Sequence, residues 1–215
     1  MSAINFQLFS DRGYVAVDTL ATFNEGQPCY FTSKAIPLPH LNMLIAVTGV
    51  AVMLTDFLAD INNRVIRGPE DLAFKAPELL QKIWMEYRGR GSLGPAWPPE
   101  NHTATIFHFG FSEETGQMVG YQHHSGNDFA AEALSGKGGK PDADLAGEPL
   151  EGLPENLRLL IAQQHADEQR PDNERVHIGG NAIGFIIQKG GMAIVQIAPL
   201  PGEEDVRKAI LGFFH

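Results

Sequence analysis

Short runs of alternating apolar and polar residues fill the first fifty positions and predict β-strands. Asn5 to Phe9 is one strand candidate, and residues 13–19, GYVAVDT, follow it after the turn sequence SDRG. Residues 29–35 form another extended piece. Residues 41–49, LNMLIAVTG, are apolar and end in glycine, which is typical of a fully buried strand. The chain therefore begins as a set of strands.

From residue 50 onward the apolar residues recur every three or four positions, which predicts a helix over 50–64. We expect Gly68 and Pro69 to end this helix. Pro77 is expected to open a second helix, because proline is well tolerated at the first helical position. This change of period marks the transition from sheet to helical layers.

The second half of the chain mixes hairpins with single helices. The predicted strands are residues 104–111, 117–122, 176–188 and 192–198. The predicted helices are residues 154–164 and 203–214, the last one burying Val206, Ile210 and Phe213. Gly- and Pro-rich sequence at 88–101 and 135–152 predicts mobile loops. Because hairpins outnumber strand–helix–strand units, we expect one α+β domain over residues 1–215, with antiparallel sheets covered by helices.

Composition narrows the class of protein. The 215 residues are 43% apolar, which is enough for a core and excludes general disorder. A net charge of −10 argues against a nucleic-acid partner, which would need a basic face. No apolar run approaches the roughly 18 residues of a membrane helix, and no secretory signal is visible. A single cysteine excludes an intrachain disulfide and a cysteine-built zinc site. We therefore expect a cytoplasmic protein without a membrane partner.

Several familiar motifs fail on inspection. The stretch SGKGGKP has no Ser or Thr after its lysine and no buried strand before it, so it is not a phosphate loop. His123 and His124 are adjacent on a predicted strand and point to opposite faces, so we expect a surface pair and not a metal site. Cys29 could be a nucleophile, although a lone cysteine in strand-like sequence is more often a small buried hydrophobe. No cofactor is expected.

Chemistry is suggested by the second residue. The small side chain of Ser2 permits removal of Met1, which leaves a hydroxyl and a free α-amine on one residue. An α-amine titrates near pH 8, so its neutral form can accept the hydroxyl proton. Such a nucleophile needs a cation beside the hydroxyl, a carboxylate to hold that cation, and a backbone N–H for the oxyanion. Asp18, Lys34 and Gly49 lie at the ends of successive predicted strands and can supply these groups.

The opening resembles the proteasome β-type subunits and the HslV-type peptidase, which are N-terminal-nucleophile (Ntn) hydrolases. Ser2, Asp18 and Lys34 match the family's spacing of nucleophile, aspartate and lysine without a gap. The segment GYVAVDTLAT is similar to the family's strand and the residues after its aspartate. IAVTGVAVMLTDF is similar to its strand–glycine–helix step, with Gly49 as oxyanion donor displaced by about one residue.

The resemblance implies a four-layer αββα sandwich, two antiparallel sheets between helix layers. It implies a peptide or small amide as substrate, catalytic roles for Ser2, Asp18, Lys34 and Gly49, and a homo-oligomer such as a ring. The sequence also departs from the family. Its nucleophile is Ser where the family's peptidases use Thr. The late hairpin has Arg175 in place of an Asp, with Asp172 at the wrong spacing, and Ser125-Gly126 resembles another helper serine only loosely.

Two other functions remain open at this point. A non-catalytic subunit of the same fold would serve as a structural component, and a retained Met1 would favour it because the α-amine would be blocked. An unrelated α+β protein that binds a small molecule is the second alternative. A structure without two stacked sheets between helices would favour this last reading.

Overall fold

The computed structural model describes residues 2–22, 26–90, 102–143, 150–171 and 174–212. The strands are β1 Ile4–Leu8, β2 Arg12–Val17, β3 Leu20–Thr22, β4 Pro28–Phe31, β5 Ala35–Leu38, β6 Met43–Gly49, β7 Ala104–Phe111, β8 Met118–His124, β9 Ala131–Leu134, β10 Lys137–Lys140, β11 Asn181–Gln188 and β12 Gly191–Pro199. The helices are α1 Val52–Asn62, α2 Pro69–Arg90, α3 Leu153–Glu168 and α4 Glu203–Gly212.

The strands of the described residues form three antiparallel sheets. The first sheet has the order β10-β1-β2-β11-β12, and the second has the order β5-β6-β7-β8-β9. Strands β3 and β4 pair with each other as a small ribbon. The predicted α+β class with antiparallel sheets is therefore confirmed.

Strand β1 shows how the sequence orients the first sheet. Successive side chains of a strand point to opposite faces. Ile4 and Phe6 belong to a hydrophobic cluster that also contains Leu44, Phe107 and Phe109 of the second sheet. Apolar residues on this face therefore join the two sheets.

The opposite face of β1 carries buried polar side chains that meet α3. The Asn5 side-chain amide donates to the Asn156 carbonyl at 3.1 Å, and the Gln7 amide donates to the Gly152 carbonyl at 3.1 Å. Because buried amides require hydrogen-bond partners, these contacts fix the position of α3 on the first sheet. Helices α1 and α2 pack instead against the second sheet, through a separate apolar cluster.

Helix α2 begins earlier than the sequence suggested. The expectation that Pro77 opens it is wrong, because the helix starts at Pro69 and Pro77 lies inside it. Pro69 takes the first-turn position, where its missing N–H removes no helical hydrogen bond, and Glu70 and Asp71 favour the positive end of the helix dipole. The predicted loop at 88–101 is helical as far as Arg90, and residues 91–101 lie outside the described residues.

Two further expectations are corrected. The mobile loop predicted at 135–152 contains β10, whose glycine-rich sequence pairs with the edge of β1, and residues 144–149 lie outside the described residues. Helix α4 leaves Val206 and Ile210 only half-buried, because it packs mainly on the short strand β4. Phe213 lies outside the described residues. No helix in the described part of the chain is long and apolar enough to cross a membrane.

Candidate functional site

Asp18 and Lys34 form a buried ion pair. Asp18 follows β2 directly, and Lys34 immediately precedes β5. The Lys34 ammonium lies 2.7 Å from Asp18 Oδ1, and both side chains are almost inaccessible to solvent. Burial lowers the pKa of Lys34, and the attraction of the Asp18 carboxylate opposes that shift. The two residues that the sequence singled out as carboxylate and cation therefore meet.

Asp18 also holds the start of the chain in place. Its Oδ1 accepts the backbone N–H of Ala3 at 2.8 Å, and its Oδ2 accepts the backbone N–H of Gly179 at 3.1 Å. The residue after Ser2 is thus bound by the same carboxylate oxygen that binds Lys34. This contact fixes the backbone at Ser2 close to the ion pair.

Ser2 and Gly49 line a common cleft of about 870 Å³. Ser2 is buried at 7% exposure, and Ala3 separates it from β1. Gly49 ends β6 with φ +91°, and a Cβ there would lie 1.9 Å from the Thr103 carbonyl oxygen. Only glycine fits this close backbone approach. All four residues named from the sequence therefore lie around one end of the two sheets.

Charged and polar groups continue along the same cleft. Lys140, at the end of β10, reaches from the first sheet to the second, where its ammonium donates to Thr105 Oγ1 at 2.6 Å. Thr105 and His124 are directly opposite each other in the β7–β8 pair, and both line the cleft. Burial lowers the pKa of Lys140, and the nearby Asp142 carboxylate opposes that effect. Lys140 therefore gives the cleft an ammonium of its own, apart from the buried Lys34.

The segment that supplies Gly179 is anchored by Asp167, which the sequence reasoning did not identify. The Asp167 carboxylate accepts the backbone N–H groups of Val176 at 2.7 Å and His177 at 2.8 Å. Asp167 lies near the end of α3, and its sequence context resembles an ordinary polar helix position. The candidate Asp172 lies outside the described residues, and Arg175 donates to the carbonyls of Glu168 and Arg170.

The other side chains considered in the sequence analysis are two histidines, a serine and the cysteine. The expectation of a surface His123 is wrong, because this ring is fully buried, although His124 does face the other way and lines the cleft. His123 stacks on His108 with ring centroids 5.3 Å apart, a pairing across two strands that local sequence does not reveal. Ser125 accepts the backbone N–H of Ala104 through its hydroxyl. Cys29 is half-buried with a free thiol.

The described residues contain no cluster of three or more His, Cys, Asp or Glu side chains that could hold a metal ion. The cleft and the adjacent ion pair bring together a hydroxyl, ammonium groups, carboxylates and backbone N–H groups. Such a set can attack a carbonyl carbon and stabilise the resulting oxyanion.

The chain has the fold of a known solved structure. It matches the Anbu (Gly-1) mutant from Hyphomicrobium sp. strain MC1 with a TM-score of 0.63 and 10% sequence identity. The match covers 100% of this chain and 95% of that one. At this identity the likeness shows a shared fold and no more.

The closer resemblance inferred from the opening residues is corrected by the same comparisons. No family model matches the chain, and no curated protein matches it. Assignment to the proteasome β-type or HslV-type family is therefore wrong as a statement of family, and what remains is a shared fold. The residue-level resemblance that suggested the assignment covers only positions 2–49 of the 215 residues.

Proposed function

We propose that this chain is an amide or peptide hydrolase whose nucleophile is Ser2, exposed as the first residue by removal of Met1. The observation that carries the proposal is the Asp18 carboxylate, which binds both the Lys34 ammonium and the Ala3 N–H through one oxygen. This arrangement puts a buried cation next to the backbone of Ser2. The fold shared with Anbu, a proteasome-like N-terminal-nucleophile hydrolase subunit, also supports this proposal.

In the proposed reaction the Ser2 hydroxyl attacks the amide carbonyl carbon and transfers its proton to the Ser2 α-amine. Lys34 stabilises the developing alkoxide, and its own lowered pKa reflects the dry surroundings in which that charge acts strongly. Asp18 keeps the Lys34 ammonium oriented. The Gly49 N–H donates to the oxyanion.

Collapse of the tetrahedral intermediate breaks the C–N bond, and the α-ammonium gives its proton to the leaving amine. An ester between the acyl group and Ser2 remains. The α-amine then takes a proton from water, and the resulting hydroxide attacks the ester. The carboxylic acid leaves and the Ser2 hydroxyl is restored. No group outside the chain and water is required.

We infer in addition that the layers are stacked in the order helix, sheet, sheet, helix. Helices α1 and α2 pack on the second sheet, and α3 packs on the first. The apolar cluster between the two sheets supports this order, since it draws residues from both. In this arrangement the cleft opens at one end of the sheet pair.

The decisive experiment compares the amide-hydrolysing activity of the protein with and without Met1. Protein beginning at Ser2 and protein retaining Met1 are each incubated with a library of blocked peptide amides, and intact mass spectrometry detects acyl-Ser2 and released amine. We expect turnover only from the form that begins at Ser2. The Ser2→Ala variant abolishes it, and Ser10→Ala, at an exposed serine, leaves it unchanged.

Two results would contradict the proposal. Full activity of Ser2→Ala would remove Ser2 from the reaction. Retention of Met1 in the protein isolated from its native host would favour the non-catalytic structural subunit. Assembly into a homo-oligomer or ring stays a prediction, which analytical ultracentrifugation of the same preparation tests.

A further inference from the structure

Lys140 is a half-buried cation with little compensation from the protein. Its ammonium has three donors, and among the described residues it makes one hydrogen bond, to Thr105, and no ion pair. Removing an ammonium from water is unfavourable unless an anion or several hydrogen bonds replace the lost hydration. Asp142 acts on it only as a nearby charge. The site is therefore suited to an anion that none of the described residues supplies as an ion-pair partner.

Two further donors surround this ammonium. Thr105 Oγ1 accepts from Lys140, so its own hydroxyl proton is free to be donated. His124 Nδ1 accepts the Gly126 N–H, which puts the proton of the neutral ring on Nε2. Burial and the Lys140 charge both lower the pKa of His124, and the Glu132 carboxylate partly opposes that shift. The three side chains line one wall of the cleft.

The acidic residues of the cleft do not cancel this charge. Glu132, Asp142 and Glu174 are exposed, where water screens them, whereas Lys140 and Arg170 are half-buried. Glu132 is already engaged, because its two oxygens accept the side-chain amides of Gln122 and Asn127. The less solvated charges of the cleft are therefore the positive ones.

We propose that Lys140, Thr105 and His124 form a subsite for a carboxylate on the substrate. The subsite rests on the proposed function, because it adjoins Ser2 and Gly49 in the same cleft. It restricts the substrate class to amides that carry a carboxylate near the scissile bond. That carboxylate belongs either to an acidic side chain or to a free carboxyl terminus.

The test measures binding, so it does not depend on turnover. Ser2→Ala protein lacking Met1 is titrated at pH 7 with three blocked amino acids while backbone NMR shifts are followed. N-acetylglutamyl amide carries a side-chain carboxylate, N-acetylglutamine carries a terminal one, and N-acetylglutaminyl amide carries neither. We expect one carboxylate probe to bind at least about tenfold more tightly than the neutral probe, as a hydrogen bond to a charged group implies.

Lys140→Met should reduce this preference to less than about twofold. Lys137→Met is the matched control, since Lys137 lies on the same strand but is exposed and pairs with Glu155. It should keep the full preference. If Lys140→Met does not fold, Thr105→Val removes the bridging hydroxyl with little change of shape and should weaken the same probe.

Equal binding of all three probes overturns the subsite, and so does an unchanged preference in Lys140→Met. Neither result bears on the role of Ser2. Conversely, failure of the mature protein to form an acyl-enzyme would refute the hydrolase while leaving the binding result intact. The two proposals can therefore fail separately.

Discussion

The Lys34 ammonium and the Asp18 carboxylate lie 2.7 Å apart in the interior, and each is the main charged partner of the other. Attraction between buried charges is strong, but each ion also loses its hydration. Removing one partner leaves the other buried and uncompensated, so stability and chemistry depend on the same contact.

We predict that Lys34→Met lowers the free energy of unfolding by roughly 3–5 kcal/mol. The reason is that the Asp18 carboxyl group, at 0% exposure, loses its cation and is left with only backbone donors. Urea unfolding at pH 7 measures the loss. Lys82→Met, which disrupts only an exposed pair with Glu86, should change stability by less than about 1 kcal/mol. A loss of that small size for Lys34→Met would contradict the account.

A second prediction concerns the glycine at the end of β6. Gly49→Ala should destabilise the protein by at least about 2 kcal/mol, because φ is +91° and the new Cβ would overlap the Thr103 carbonyl. Gly190→Ala is the control, with φ +83° but open space around it, and should cost about 1 kcal/mol. Thermal unfolding of both variants separates backbone strain from collision. Equal losses would show that Thr103 moves aside.

The buried imidazoles predict an acid limit to stability. Burial and the neighbouring His123 lower the pKa of His108 to about 3, against 6.5 for an exposed ring. Below pH 6.5 the unfolded chain therefore binds a proton that the folded chain does not. The free energy of unfolding should fall as the pH drops from 6.5 towards 3, with a contribution from His108 on the order of 5 kcal/mol.

The pKa of His123 is also lowered, mainly by burial, so it acts in the same direction. The hydrogen bond to the Phe129 carbonyl and the Glu132 carboxylate both raise the pKa of His123 and make its contribution smaller. His108→Gln keeps a donor for the Pro69 carbonyl and cannot titrate, so it should flatten the pH dependence. His40→Gln, at an exposed position, should leave the profile unchanged. A wild-type profile that is flat from pH 6.5 to 4 would refute a neutral buried pair.

A further prediction concerns Asp167, which anchors the segment that leads to Gly179. Asp167→Ala removes the acceptor of two backbone N–H groups and should cost about 2–4 kcal/mol. It should also increase hydrogen exchange of the Gly179 amide, which the adjoining segment holds against Asp18. Asp167→Asn retains one acceptor oxygen and should cost less. Unaltered exchange at Gly179 in Asp167→Ala would contradict this coupling.

Strands β1, β2 and β6 could be predicted because their alternation, apolar runs and turn residues are local signals, whereas the single extended piece expected over 29–35 is divided between β4 and β5. The buried strand predicted over 41–49 is present as β6, Met43–Gly49, and a helix does follow at Val52. The meeting of Asp18 with Lys34 followed from spacing and resemblance. Gly179 could not be found in that way, since its contribution is a backbone N–H that any residue carries.

Other features could not be predicted because they depend on contacts with residues that are distant in the sequence. The glycine-rich strand β10 looks like a loop until the edge of β1 supplies its hydrogen bonds. His108 and His123 meet only through the register of β7 and β8. Pro77 sits inside α2 because the packed apolar face of that helix outweighs a local break.

The single carboxylate of Asp18 ties together Ala3, Lys34 and Gly179, which are far apart along the chain. The ribosome synthesises the first two early and the third much later. A nascent chain therefore cannot complete this centre until Gly179 has emerged. The backbone at Ala3 is held in its final contacts only after that point, so a product truncated before Gly179 lacks a formed site.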